Sequence, residues 1–399
     1  MRQAKLGDFL AKQSRGIVPA CTPDENFELY SVPSFEGKRP EVVTGGQIGS
    51  NKQIVDPGTV LLCKINPRIN RAWTVGSFTK HQKIASTEWI TFPPHPDLEP
   101  RYLAHYLSRK EIRDYLAANA SGVGGSLMRV KASTVEDLPL PLPNVDEQRR
   151  IVAEIEKQFS RLDGAVANLK RVKANLDRYL AATLGEAFSG KWAGTEADWR
   201  RVLLREVADV QLGQQRAPVH AADVNPIPYV RAANVTWRGL DLSDVKSMGF
   251  PNAGRYRLAY GDILLAEASG SANEVGKPAI WRDEIPGACY QKTLIRVRCR
   301  PALLNYEFAY YYFLHTALSG QFARLAPGVG ILHLTAERML VWPTVAPPLP
   351  MQASVVAEVD RRLSIVSEVA AEVEANMKRA QALRQAVLAS AFRAGRQHV

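Results

Sequence analysis

The chain states one pattern twice. Ile151-Val152-Ala153-Glu154-Ile155-Glu156 returns as Val355-Val356-Ala357-Glu358-Val359-Asp360, and Ala187-Phe188 returns as Ala391-Phe392, both at an offset of 204 residues. A proline cluster precedes each copy: Pro139, Pro141 and Pro143 first, then Pro343, Pro347, Pro348 and Pro350. A chain of two similar halves can bind a partner that itself has two similar halves, and duplex DNA is such a partner.

Each copy reads as a long amphipathic helix. Over residues 144–188, Asn144 is positioned as an N-cap with Glu147 three residues on. Ile155, Leu162, Leu169 and Leu176 recur every seven residues; Phe159, Val166 and Leu180 fill the second seam position, with Lys173 as the exception. Gly190 is placed to stop the helix. Over 351–393, Val359, Val366 and Val373 take one seam position, and Leu363, Ala370 and Met377 the other. Beyond Met377 the seam is expected to drift to Leu383, Val387 and Phe392, with Gly395 as the stop. Helices this long cannot bury their stripes alone, so the two seams are expected to pack on each other. The heptads leave the direction open. An antiparallel pair would place the preceding domains at opposite ends, related by a pseudo-twofold axis.

The remaining segments read as mixed α/β, giving an α+β chain. Runs such as Thr59-Val60-Leu61-Leu62, Trp89-Ile90-Thr91-Phe92, Asp262-Ile263-Leu264-Leu265 and Leu294-Ile295-Arg296-Val297 predict strands. Pro57-Gly58-Thr59-Val60 matches Tyr260-Gly261-Asp262-Ile263, and Tyr102 and Tyr106 match Tyr306 and Tyr310 at the 204 offset. Glycine loops follow at 121–125 and 327–330. Tyr310-Tyr311-Tyr312-Phe313 reads as helix core.

The formal net charge is +11, and its excess is matched: 18 basic and 14 acidic residues lie in 1–145, and the same numbers in 191–345. That balance favours a polyanion. No run of eighteen apolar residues predicts a membrane span. The first residues lack an apolar signal core, and Cys21, Cys63, Cys289 and Cys299 are scattered, so a reduced, cytoplasmic protein is expected. Catalytic signals are weak. Gly270 to Lys277 has the wrong spacing for a phosphate loop, Asn66-Pro67-Arg68 lacks the pattern of an amino-methyltransferase, and no metal motif occurs. No cofactor, metal or catalytic residue is therefore assigned to this chain.

Binding chemistry concentrates in Lys64-Ile65-Asn66-Pro67-Arg68-Ile69-Asn70-Arg71, directly after a predicted strand. Arg and Lys suit guanine edges and phosphates, Asn suits adenine. A solvated hairpin tip is the bland alternative. Further candidates are Lys80, Gln82 and Lys83, Arg129, Arg231 with Asn234, Asn273, and Gln291 with Lys292. The equivalent loop of the second half, 267–274, is polar but not basic, so two reading loops would read different sequences.

Together these features resemble the specificity (S) subunit of Type I restriction–modification systems. The resemblance spans essentially the whole chain and is strongest at Leu138-Pro139-Leu140-Pro141 leading into Asp146-Glu147-Gln148-Arg149-Arg150-Ile151-Val152. The second copy departs, with Met351-Gln352-Ala353-Ser354 facing Val145-Asp146-Glu147-Gln148. The resemblance implies target recognition domains at 1–143 and 191–347, each reading half of a bipartite site in double-stranded DNA. It implies conserved helices at 144–190 and 348–399 that space those domains and dock two methyltransferase (M) subunits. Restriction (R) subunits would join, with S-adenosylmethionine, ATP and magnesium bound in the partners. A basic coiled-coil adaptor and a single-chain methyltransferase or nuclease are the rival readings. If the helices space two readers, inserting four residues near Val166, about 6 Å of helix, lengthens the unread gap and leaves both half-sites unchanged. A changed half-site in the mapped recognition sequence would refute the spacer.

Overall fold

A computed structural model describes residues 2–122, 128–189, 192, 199–217, 225–269, 274–325 and 332–394. The expected helix stops at Gly190 and Gly395, the glycine loops at 123–125 and 327–330, and Asn273 lie outside the described residues. The chain divides into two units, one of Met1–Leu169 with Glu374–Val399, the other of Lys170–Val373.

In the first unit, strand Val60–Cys63 lies between Ala72–Thr74 and Trp89–Phe92, antiparallel to both. A second sheet runs in the order Gly16–Ile17, Lys52–Ile54, Gln82–Ser86, Asn26–Tyr30, Glu41–Thr44. There Asn26–Tyr30 is parallel to Gln82–Ser86 and antiparallel to Glu41–Thr44. Strand Arg2–Lys5 pairs antiparallel with Pro139–Leu142, whose prolines are tolerated because this two-stranded ribbon is all edge.

The second unit has a four-stranded sheet, ordered Ala208–Leu212, Leu294–Cys299, Ile263–Ala266, Pro278–Ile280. In its three-stranded sheet Ile227–Val230 is antiparallel to Lys246–Met248 and parallel to Cys289–Tyr290. Arg201–Leu203 pairs with Pro343–Val345. The strands expected around residues 59–62, 89–92, 262–265 and 294–297 are all present. Two of them begin alike. Gly58 (φ +87°) and Gly261 (φ +84°) take the left-handed turn that glycine adopts without strain. Their amides donate to Val75 O at 2.8 Å and Trp281 O at 2.9 Å.

The long helices span Val145–Ala187 and Leu349–Ala394. Asn144 caps the first as expected, its Oδ1 accepting from the Glu147 amide at 2.9 Å. Within the first unit, Val152, Ile155 and Phe159 share a core with Leu388 and Phe392, and Arg384 reaches Asp163 at 2.9 Å. Within the second, Leu180, Leu184 and Ala187 share a core with Val355, Val359 and Leu363, and Arg362 lies 3.4 Å from Glu186. Leu162, Val166, Leu169, Leu176, Val366 and Met377 are half-buried, and Val373 is buried.

The expected drift after Met377 holds at Val387 and Phe392, which pack in the first unit's core, and fails at Leu383. Leu383 is 53% exposed. Ala380 and Leu388 are also buried, and Arg384, Val387 and Ala391 half-buried, so the contact face widens toward the end of the helix. Arg384 can hold a seam position because its guanidinium packs over the Phe159 ring, 4.2 Å from the centroid, while pairing with Asp163.

A buried glutamine ties each sheet region to its helix. Gln148 Oε1 accepts from the Glu99 amide at 2.8 Å, and Nε2 donates to the carbonyls of Asp97 and Pro143, both at 2.8 Å. Gln352 Oε1 accepts from the Asn305 amide at 2.7 Å, and Nε2 donates to Leu303 O at 3.0 Å and Pro347 O at 2.7 Å. Both residues are 0% exposed. Glu99 and Asn305 are the N-caps of helices Pro100–Leu107 and Tyr306–Leu318.

This pairing corrects two sequence matches. Gln352, which follows Gln148 by the same 204 residues, makes the bonds that Gln148 makes, so facing Ser354 with Gln148 is off by two residues. Caps at 99 and 305 put Tyr102 opposite Phe308 rather than Tyr306, both fully buried, and Tyr106 opposite Tyr312. Tyr106 and Tyr312 donate their hydroxyls to the carbonyls of Pro139 and Pro343. The tyrosine run is helix core at Phe313, which is 0% exposed, while Tyr311 bonds Asp360.

Replacing Gln148 or Gln352 by Leu orphans one buried amide and two carbonyls. Each variant is expected to lose on the order of 3 kcal/mol, read as a shift of the urea midpoint. An unshifted midpoint would mean that water takes over the three bonds.

Candidate nucleic-acid interface

The loop following Val60–Cys63 is held before it can bind anything. The Lys64 amide donates to Glu88 O, the Val130 amide to Lys64 O, and the Asn66 amide to Met128 O. Pro67–Ile69 forms one turn of 3-10 helix between Asn66 (φ +49°) and Asn70 (φ +51°). Both asparagines occupy the left-handed region, which Asn tolerates better than other residues with a side chain. The sequence thus places Asn where the backbone turn requires it.

Most polar side chains of this loop face inward. Lys64 Nζ donates to Thr87 O at 2.7 Å. Asn70 Nδ2 donates to Leu107 O at 2.9 Å and Arg109 O at 3.3 Å, covering the end of helix Pro100–Leu107. Arg71 is 13% exposed at its side chain and lies 3.5 Å from Glu36. Arg129 sits beside the loop but pairs with Glu88 at 3.1 Å. Arg68 is exposed at the tip, and its guanidinium meets no partner among the described residues.

Lys80 and Gln82 are exposed, whereas Lys83 is not. Lys83 Nζ donates to Thr79 O at 2.8 Å and His81 O at 3.0 Å, and lies 3.5 Å from Glu28. Glu28 is fully buried, which pushes its pKa up. Hydrogen bonds from Thr79 and Tyr30 and the charge of Lys83 outweigh that, holding the carboxyl below its ordinary value. Lys83 therefore serves this network.

The second unit differs. Asn234 is buried, accepting from the Arg231 amide and donating to Asp241 O at 2.9 Å and Asp244 O at 3.1 Å. Arg231 pairs with Asp244 at 2.6 Å. Gln291 Oε1 accepts from Thr293 Oγ1 at 3.2 Å, and Lys292 is exposed. Beside the strand Ile263–Ala266 the charged residues of the described loop, Glu267 and Glu274, are acidic. Glu274 accepts from Trp237 Nε1 at 3.0 Å and bonds Lys277, whose ammonium lowers its pKa.

The candidates thus separate. Arg68, Lys80, Gln82 and Lys292 are exposed side chains, whereas Asn70, Arg71, Lys83 and Asn234 hold the fold. Sequence reasoning misses a further cationic group: Arg296, Arg298 and Arg300 occupy alternate positions along Leu294–Cys299 and its end, beside Arg255 and Arg257. The signal is present as a period-two stripe opposite Ile295 and Val297.

The division is testable by stability. Asn70→Ala should cost about 1–2 kcal/mol through the lost helix end bonds, while Arg68→Ala should stay within about 0.5 kcal/mol. Thermal unfolding of both variants reads the difference, and an equal loss would contradict the assignment.

No protein-family model matches the chain. Among curated proteins it is 20% identical over 303 residues to the Type I restriction enzyme EcoKI specificity subunit of Escherichia coli strain K12, covering 73% of this chain and 64% of that protein. It is 22% identical over 318 residues to the Type I restriction enzyme StySPI specificity subunit of Salmonella potsdam, covering 75% and 66%. The match spans slightly less than two thirds of these relatives' length. Among solved structures, a chain from work on complex assembly and conformational transition of the type I R-M system superposes with a TM-score of 0.75. It is 21% identical and covers 98% of this chain and 97% of that one, a likeness of fold. The homologues of this chain are the specificity subunits of Type I restriction enzymes.

Proposed function

We propose that this chain is the sequence-reading subunit of a Type I restriction–modification complex. Residues 1–143 and 191–347 act as target recognition domains, each reading one half of a bipartite site in double-stranded DNA. Residues 144–190 and 348–399 form an antiparallel helix pair that docks two methyltransferase subunits, with restriction subunits joining that core. S-adenosylmethionine, ATP and magnesium belong to those partners, the chain itself performs no chemistry, and the complex works in the cytoplasm.

The observation that carries the reading is the pair of equivalent glutamine ties. Gln148 and Gln352 each fasten a mixed sheet region to a long helix through the same three kinds of bond. Two equivalent ties support an internal repeat, and a repeat supports two readers. The Arg384–Asp163 and Arg362–Glu186 pairs support the antiparallel direction, since each joins a late stretch of one helix to an early stretch of the other. The unequal chemistry of the exposed groups supports different half-sites. Arg68 and Lys80 serve the first reader, Lys292 the second, with hydrogen bonds to base edges or phosphates.

The test is to co-express the chain with its neighbouring methyltransferase subunit and map methylated bases across the host DNA. A single interrupted motif, with one modified adenine on each strand, is expected. A soluble complex that methylates nothing would favour the adaptor reading.

A further inference from the structure

We propose that the second unit carries an arginine-built phosphate site, centred on Arg296, that grips the backbone of duplex DNA. The proposal rests on the DNA-reading function above and adds to it a grip that does not read bases.

Arg296 is 6% exposed. Its Nη2 donates to Gln211 Oε1 at 3.0 Å and its Nη1 to Arg255 O at 3.4 Å, while Nε is buried without a hydrogen-bond partner. The guanidinium faces the Tyr290 ring at 5.7 Å. No carboxylate pairs with it among the described residues. A buried cation without a counter-charge is costly, and an anion from outside would supply the missing charge.

The surroundings are more cationic still. Arg298 donates to Asp262 at 2.6 and 2.7 Å and to Arg257 O at 3.2 Å, and Arg300 donates to Asp209 at 3.0 Å. Those two carboxylates neutralise two of the five arginines. Arg255 and Arg257 are exposed, and neither meets a carboxylate among the described residues. The register places Gln211 opposite Arg296 and Asp209 opposite Arg298, so the group is one patch of sheet and the adjoining segment 255–257. Planar guanidinium forks suit phosphate oxygens. Clamped by Gln211 and the Arg255 carbonyl, Arg296 cannot adapt to different base edges. The patch therefore contributes affinity uniformly over sequences.

The experiment uses the complex with its methyltransferase subunits, comparing wild type with the double variant Arg255→Ala, Arg257→Ala. These side chains are exposed, so the fold should survive. Affinity for the mapped target and for a scrambled duplex is measured from about 50 to about 200 mM salt. The expected result is an equal fractional loss on both duplexes and an unchanged methylation motif. The slope of log affinity against log salt should become shallower by about 0.9 for each phosphate no longer neutralised. The charge-matched pair Arg200→Ala, Arg205→Ala should leave the slope unaltered. An unchanged slope in the double variant, or an equal change in the matched pair, overturns the site. A changed motif overturns its assignment to phosphate. Thermal stabilisation by inorganic phosphate that the variant abolishes, with DNA binding untouched, would make it a free-anion site and also overturns the proposal. Should the wild type bind every duplex alike while the variant still flattens the slope, the reading function fails and the phosphate site stands.

Discussion

Each unit depends on one buried side-chain amide. Gln148 and Gln352 sit near the start of the long helices, fully removed from water, with all their bonds directed to backbone groups. A buried amide is stable only if its donors and acceptor are satisfied together. That condition fixes the first turn of the long helix, the proline segment before it and the cap of a shorter helix in a single arrangement. A hydrophobic residue could fill the same space but would specify none of the three positions.

Around these ties the units resolve the same problem with different surfaces. In the first, the Lys64–Arg71 loop turns most of its polar groups inward, to Thr87 O, the end of a neighbouring helix and Glu36. Burial of a cation demands a partner, so Arg71 and Lys83 face Glu36 and Glu28 and little charge remains outward. In the second, the comparable place is occupied by Glu274, and positive charge collects on the strand Leu294–Cys299 instead. The matched basic excess of the two segments therefore hides unequal distributions, and charge counts do not locate a binding face.

Legibility follows the range of the interaction. The Asn144 cap, the heptads through Val373 and the four strand runs are set by neighbours within one or two turns, and all are readable. Val387 and Phe392 are readable too, but Arg384 is not, because it looks polar; its place depends on Phe159 and Asp163, more than two hundred residues away. The tyrosine match slips by two residues for a similar reason: its register is set by which helix cap meets each glutamine, not by residue identity. Asn70 and Asn234 look like base readers because their amides suit adenine, yet the same amides bind backbone carbonyls here.

The sequence by itself determined the two long amphipathic helices, the alternation of strands and turns, and the likeness to the specificity subunits of Type I restriction enzymes. The helices and strands rest on periodicity and local backbone preference, which a chain carries before it folds. Only the tertiary structure decided which polar side chains remain free for a partner. Arg68 and Asn70 differ by two positions and are equally polar, but one meets solvent and the other the end of a helix. The physical reason is that a buried donor must find an acceptor, and the acceptors are brought within reach only by packing between segments distant in the chain.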